Sequence, residues 1–103
     1  MAGDAGASAL MPPVWSRDAQ NDVFDIAGRY DAIDPALADA IVEQLETAVT
    51  RPDGFVGRGG DVEQLAGVRR WQVPRTPFVL LYAVGEERAE VLRVIHAASD
   101  WRP

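Results

Sequence analysis

The sequence predicts an α+β domain in which an N-terminal strand and a helical hairpin pack on a small antiparallel sheet, in the order β-α-α-β-β-β. Apolar residues recur at helical spacing over residues 17–49 and at strand spacing over residues 68–96. The chain has 103 residues, of which 48% are apolar and 25% charged, which suits one globular domain with one modest core. Residues 1–13 are rich in Ala and Gly and end in two prolines. We therefore expect a flexible tail over residues 1–13 and a single domain over residues 14–103.

The N-terminal half contains start signals for two helices. After a short strand predicted at Val14–Trp15, Ser16 is an N-cap whose hydroxyl can accept from an amide of the first turn. Asp34 and Pro35 give a second start, with Asp as N-cap and Pro at the first helical position. Each helix has one apolar face, made of Ala19, Val23, Ile26, Ala27 and Tyr30 in the first and of Leu37, Ile41, Leu45 and Ala48 in the second.

The last third of the chain predicts a three-stranded antiparallel meander. The strands are expected at residues 68–73, 78–84 and 90–96, with a turn at residues 74–77. The middle run, FVLLYAV, is almost entirely apolar, which is typical of a central strand covered on both faces.

Strand alternation sorts the side chains of this sheet into two faces. Trp71 and Val73 share a face with the alternate apolar residues of the middle strand, and we expect that face to carry the helical hairpin. On the opposite face, Arg70 and Gln72 lie beside Val79 and Leu81, a mixed surface expected to be open to a ligand or partner.

A glycine-rich connector over residues 55–67 joins the helices to the sheet. It lacks the Lys-Ser or Lys-Thr pair of a phosphate-binding loop, so we expect no nucleotide site there. A short turn of helix is expected at residues 61–65.

Composition excludes several classes of site. The chain has no cysteine, which excludes a disulfide scaffold and a thiolate metal site, and its one histidine is His96. We expect no metal and no cofactor. There is no run of 18 apolar residues, so no membrane-spanning segment is expected.

Charge is divided unevenly along the chain. The net charge is −6, and residues 17–50 alone hold two Arg against eight Asp and Glu, whereas residues 68–103 hold six Arg against four Asp and Glu. Nucleic-acid binding normally requires a basic surface, so we expect no sequence-specific nucleic-acid binding by this chain alone. The acidic hairpin is either an ordinary solvated surface or a docking surface for a basic partner. Its candidate contact residues are Asp22, Asp25, Asp39 and Glu43.

Three side chains near the C-terminus have both a structural and a functional interpretation. His96 has the titration range of a general acid or base, but no second histidine or lysine accompanies it, and we expect a strand-end side chain satisfied by backbone or a carboxylate. Arg93 lies within the apolar string VLRVI, so its guanidinium should pair with a carboxylate or carbonyls. Trp101 fits core packing and an exposed partner contact equally well.

The element order and three phrases resemble the RelE/ParE toxin superfamily of type II toxin–antitoxin systems. The phrases are VWSRDAQNDVFDIAGRY at the first helix, VRRWQVPRTPFVLLYAV through the middle strands and VLRVIHAASDW at the end. The last phrase is most similar to the ParE branch, and the resemblance covers residues 14–103.

The resemblance implies one of two activities, since RelE-like members cut messenger RNA on the ribosome and ParE-like members inhibit DNA gyrase. Of five functional positions of the nuclease pattern, this chain retains one. Arg70 and Gln72 match the two basic positions of one strand, Val79 and Ala98 stand where the pattern has arginines, and the late tyrosine has no counterpart before Pro103.

The resemblance therefore implies a cytoplasmic ParE-like toxin that inhibits DNA gyrase, arrests growth and is neutralised by a cognate ParD-like antitoxin. It implies target contacts by Trp101, Arg102 and Arg70, and antitoxin contacts by the acidic hairpin residues. The alternatives are a RelE-like ribosome-dependent mRNA endoribonuclease that uses Arg70, His96 and Arg102, and a toxin-fold protein that retains antitoxin binding only.

Overall fold

The described residues, 11–51 and 54–98 of a computed structural model, form two helices and five strands. These are β1 (Val14–Trp15), α1 (Arg17–Asp31), α2 (Pro35–Thr50), β2 (Gly60–Asp61), β3 (Val68–Gln72), β4 (Phe78–Val84) and β5 (Ala89–His96). The strands make one sheet in the order β1-β5-β4-β3-β2, in which only β1 pairs in parallel. The predicted α+β class is confirmed. Among the described residues, no helix combines the length and the hydropathy needed to cross a membrane.

Both helices begin at the residues that the sequence predicts. The Ser16 hydroxyl accepts from the Ala19 amide at 3.0 Å and donates to the Leu92 carbonyl at 2.8 Å, so the cap also ties α1 to β5. Asp34 Oδ1 accepts from the Ala36 amide at 3.0 Å, and a proline occupies the first turn of α2. These caps satisfy amides that have no partner within the helix.

The core lies between the helical hairpin and one face of the sheet. Its buried members come from both helices, the connector, β4 and β5, and include Ile26, Leu45, Phe55, Leu80, Tyr82 and Val91. One residue that the sequence places on the packed face lies outside the core. Leu37 is 41% exposed, because the buried face of α2 includes Ile41 and Ala38 and leaves Leu37 at its border.

Strand β4 is the central strand of the sheet and is buried on both faces, as predicted. The register pairs Trp71 with Leu80, which confirms the face that carries the helices. It also pairs Arg70 with Leu81. The prediction that the opposite face is open is wrong at the centre of the sheet, since Val79 and Leu81 are each only 2% exposed.

The glycine-rich connector does not form the expected turn of helix. Residues Gly60–Asp61 instead form β2, with Gly60 opposite Arg70 and Asp61 opposite Arg69. Gly59 allows the connector backbone to approach β3 closely. Its φ is 77°, and a Cβ there would lie 1.9 Å from the Arg70 carbonyl oxygen, so only glycine allows this approach.

Two side chains of the sheet hold the connector in place. The Arg69 guanidinium donates to the carbonyls of Gly57 and Gly59 and to Asp61 Oδ1, at 2.7–3.3 Å. The Tyr82 hydroxyl accepts from the Gly57 amide at 3.0 Å and donates to the Arg58 carbonyl at 2.7 Å. These contacts come from residues distant in sequence, so no local signal in the connector predicts them.

Candidate functional site

Asp22 and Arg93 form an ion pair between the hairpin and the sheet. Arg93 Nε and one terminal nitrogen donate to the two oxygens of Asp22 at 2.7 and 3.0 Å, and the Val94 amide donates to Asp22 Oδ2 at 2.9 Å. The hydrogen bond to Asp22 raises the pKa of Arg93 above its ordinary value, although burial acts in the opposite direction. The expectation of a carboxylate partner for Arg93 is confirmed.

This pairing removes Asp22 from the set of freely accessible carboxylates. Its side chain is 16% exposed and all of its described contacts are internal. Asp22 was expected to contact an antitoxin with three other acidic residues. In this structure its carboxylate accepts from the Val94 amide and so closes the edge of β5 beyond the point where β1 ends.

The other three predicted acidic residues lie on the outside of the hairpin. Asp25 on α1 and Asp39 and Glu43 on α2 are exposed. The hairpin also exposes three large apolar side chains that the sequence reasoning did not single out: Phe24 is 78% exposed, Ile33 72% and Leu37 41%. We call these six residues the hairpin surface.

The signal for Phe24 was available in the sequence. It falls outside the face defined by Val23, Ile26 and Tyr30, so an aromatic side chain at this position points away from the core. Exposed aromatic residues with nearby charges are characteristic of protein-binding surfaces.

Arg70 and His96 do not share a site. Arg70 pairs in register with Leu81 on the outer face of the sheet, whereas His96 pairs with Phe78 on the face that carries the helices. The His96 and Phe78 rings meet edge to face, with centroids 5.6 Å apart. Directly paired residues in an antiparallel sheet project to the same side, so the sheet itself lies between the two candidate catalytic groups.

His96 has the structural contacts expected of a strand-end residue. Its Nδ1 accepts from the Ala98 amide at 3.0 Å. Arg70 is exposed and, within residues 11–51 and 54–98, makes no ion pair or side-chain hydrogen bond. Trp101 and Arg102 lie outside the described residues. In the same described ranges, no group of three His, Asp or Glu side chains is placed to hold a metal ion.

This architecture, a helical hairpin on one face of a five-stranded sheet, is that of the RelE/ParE toxin superfamily. A family model described as the ParE toxin of the type II toxin–antitoxin system parDE matches residues 14–101. The chain therefore belongs to the ParE toxin family.

A solved structure supports the same assignment. It is titled "Chromosomal ParDE TA system from P. aeruginosa", and its chain is 26% identical to this one with a TM-score of 0.68. The match covers 84% of this chain and 96% of that one. No curated protein sequence gives a match.

Proposed function

We propose that this ParE-family toxin acts in the cytoplasm by inhibiting DNA gyrase, and that a cognate ParD-like antitoxin neutralises it. The observation that carries the first part is the position of Arg70 and His96 on opposite faces of the sheet. Cleavage of RNA through the 2′-hydroxyl requires a base, an acid and a cation around one phosphate. Two groups separated by the sheet cannot surround one phosphate.

The residues that are missing from the nuclease pattern support the same conclusion. Val79, which stands in place of an arginine, is buried, and Ala98 has no side chain able to donate a proton. Each missing acid–base group typically reduces the rate by about 10²–10⁴. The chain therefore fits a toxin that binds a protein better than one that cleaves RNA.

The supercoiling activity of purified DNA gyrase tests this proposal. Added toxin should block supercoiling of relaxed plasmid, whereas messenger RNA on translating ribosomes should remain intact. His96→Ala should inhibit gyrase as well as the wild type does. Ribosome-dependent cleavage that is lost in His96→Ala would overturn the proposal in favour of the ribonuclease.

We place the target contacts at Trp101 and Arg102, with Arg70 as a weaker contributor. Trp and Arg are the residues most enriched where binding energy is concentrated. Truncation after Ala98 should then abolish gyrase inhibition while antitoxin binding is retained. If the truncated chain keeps its melting temperature and still inhibits gyrase, Trp101 and Arg102 are not target contacts.

The hairpin surface is the antitoxin contact in this proposal. It combines exposed apolar side chains, which favour binding of an amphipathic segment, with the carboxylates of Asp25, Asp39 and Glu43, which favour Arg and Lys in that segment. Asp22 does not belong to this contact, because it is already paired with Arg93.

A further inference from the structure

Strand β4 is buried on the outer face of the sheet, the face on which neither described helix packs. Val79 and Leu81 project to this face, and each is only 2% exposed. Neither belongs to the core cluster that the helices form with Leu80 and Tyr82. An antiparallel sheet whose second face meets water normally carries polar side chains there. Two buried apolar residues therefore indicate a cover on the outer face as well.

The polar side chains next to these two residues are directed elsewhere. The Gln72 amide, beside Val79, donates to a carbonyl of the turn between β3 and β4 at 3.3 Å. The Arg93 guanidinium, beside Leu81, is paired with a carboxylate of α1. Arg70, on the other side of Leu81, is exposed. The cover is therefore to be sought in another part of the chain.

The last described residues lie beside the start of β4. The Ala97 amide donates to the Pro77 carbonyl at 2.7 Å, so residues 99–103 begin close to Val79. Five extended residues span up to about 17 Å, whereas Leu81 lies about 13 Å from Pro77 along the strand. The segment is therefore long enough to cover both buried residues.

Residues 99–103 also contain a side chain suited to this cover. Trp101 is the one large apolar residue among them, and an indole has the area to cover two aliphatic side chains. The N-terminal segment is a poorer candidate. The Met11 amide bonds to the turn between β4 and β5, so residues 1–10 begin at the far end of β4. The ParE family match, residues 14–101, includes Trp101 and omits that segment.

We propose that residues 99–103 fold back over the outer face of the sheet and that the Trp101 indole packs on Val79 and Leu81. The hydrophobic effect favours this contact, because it removes two aliphatic side chains and one face of the ring from water. The other face of the indole remains exposed to solvent. Core packing and partner contact, the two interpretations of Trp101, then both apply.

Docking in this position brings the proposed target contacts together. Arg70 pairs in register with Leu81 on the outer face, so a docked Trp101 lies near it and Arg102 follows one residue later. The target then meets a single surface on the side of the toxin away from the helical hairpin. This consequence rests on the proposed function, whereas the docking of Trp101 does not.

Nuclear Overhauser contacts in the isotope-labelled full chain test the docking directly. The Trp101 indole protons should give contacts to the methyl groups of Val79 and Leu81. Trp101→Ala should move those methyl signals downfield, because the ring current that shields them is lost. Trp71 is the internal control. It projects to the face that carries the helices and should give no contact to these methyl groups.

Thermal melting gives the second measurement. Trp101→Ala uncovers two aliphatic side chains and should lower the melting temperature by roughly 5–10 °C, whereas Trp101→Phe should restore about half of that loss. Deletion of residues 1–10 is the matched control. It should leave both the melting temperature and the Trp101 contacts unchanged.

Three results would overturn the proposal. The Trp101 indole gives no contact to the methyl groups, or Trp101→Ala melts with the wild type, or the methyl signals of Val79 and Leu81 respond to deletion of residues 1–10 and not to the loss of Trp101. The third result would assign the cover to the N-terminal segment. All of these measurements use the toxin alone, so they decide the docking whether or not the toxin inhibits gyrase.

Discussion

Asp22 shows that an acidic residue on an exposed helix can be part of the framework. It accepts three hydrogen bonds, two from Arg93 and one from the Val94 amide. Without it, a partly buried guanidinium and a strand-edge amide lose their partner together. The edge of β5 would then also be open to pairing with another chain.

We therefore predict that Asp22→Ala destabilises the protein by about 1–3 kcal/mol, the range for leaving a buried hydrogen-bonding group without its partner. The value lies below that of a fully buried pair because the Arg93 side chain is 39% exposed. Asp25→Ala is the control, since Asp25 is exposed on the same helix, and it should change stability by less than about 0.5 kcal/mol. Urea unfolding of the two variants measures the difference, and equal stabilities would contradict the framework role of Asp22.

Two neighbouring glycines in the connector differ in a way that can be measured. Gly57 and Gly59 both have positive φ, of 87° and 77°, but a Cβ at Gly57 has no atom within 4 Å, whereas one at Gly59 meets the Arg70 carbonyl. Gly57→Ala should thus add only backbone strain, about 1–2 kcal/mol. Gly59→Ala adds a clash to that strain and should be the more destabilising by about 2 kcal/mol or more.

Thermal melting of both alanine variants tests this prediction, with the amide exchange of Arg70 as a local measure of β2–β3 pairing. We expect faster exchange in Gly59→Ala than in Gly57→Ala. If the two variants melt together, then the close approach of Gly59 to β3 does not contribute to stability.

At the scale of elements, the sequence predicts a helix or strand correctly where the residues that determine it lie close together along the chain. Ser16 and Asp34 are caps whose partners lie two or three residues away, and the apolar run of β4 is continuous, so both helix starts and the central strand are predicted correctly. β2 was missed because its pairing depends on Arg69, a residue of the next strand.

The candidate site was predicted less completely for the same reason. The acidic character of the hairpin follows from composition, but the internal use of Asp22 depends on Arg93, which lies 71 residues further along the chain. A β-bulge in β5, where Leu81 pairs with Arg93 and Tyr82 with Val91, adds one residue and changes the register there. Bulges of this kind redirect side chains, and strand alternation alone does not reveal them.

The central position of β4 gives a prediction at this scale. Leu80 is fully buried and Val84 is 43% exposed on the same strand. Leu80→Asp removes a core side chain and inserts a charge without a partner, so it should destabilise by at least about 3 kcal/mol. That corresponds to a fall of roughly 12 °C or more in melting temperature. Val84→Asp should melt within a few degrees of wild type, and a similar result for Leu80→Asp would contradict the central placement of β4.

Across the whole molecule, charge is separated between two regions. Residues 17–50, which hold both helices, carry two Arg and eight Asp and Glu, whereas residues 68–103 carry six Arg and four Asp and Glu. We expect a single partner that covers both regions to place basic residues on the hairpin surface and acidic residues against the last third of the chain. Such an arrangement fixes the direction in which the partner lies, because the reversed orientation brings like charges together.

The last prediction concerns how the hairpin surface binds the antitoxin, since its apolar and acidic residues should contribute in distinguishable ways. Phe24→Ala removes exposed apolar area without changing charge, so affinity should fall by about 30-fold with the salt dependence unchanged. Asp25→Asn and Asp39→Asn remove charge and keep shape, so each should weaken binding only about two- to fivefold at low salt.

The loss in the two asparagine variants should disappear at high salt, because the screening length falls from about 10 Å at 0.1 M to about 3 Å at 1 M. Calorimetric titration of each variant with the antitoxin over this range separates the two contributions. Glu86→Gln is the matched control, as Glu86 is an exposed carboxylate between β4 and β5, outside the hairpin surface, and it should bind like the wild type. Binding that is independent of salt would refute the electrostatic contribution. Unchanged affinity in Phe24→Ala would show that the antitoxin does not bind at the hairpin surface.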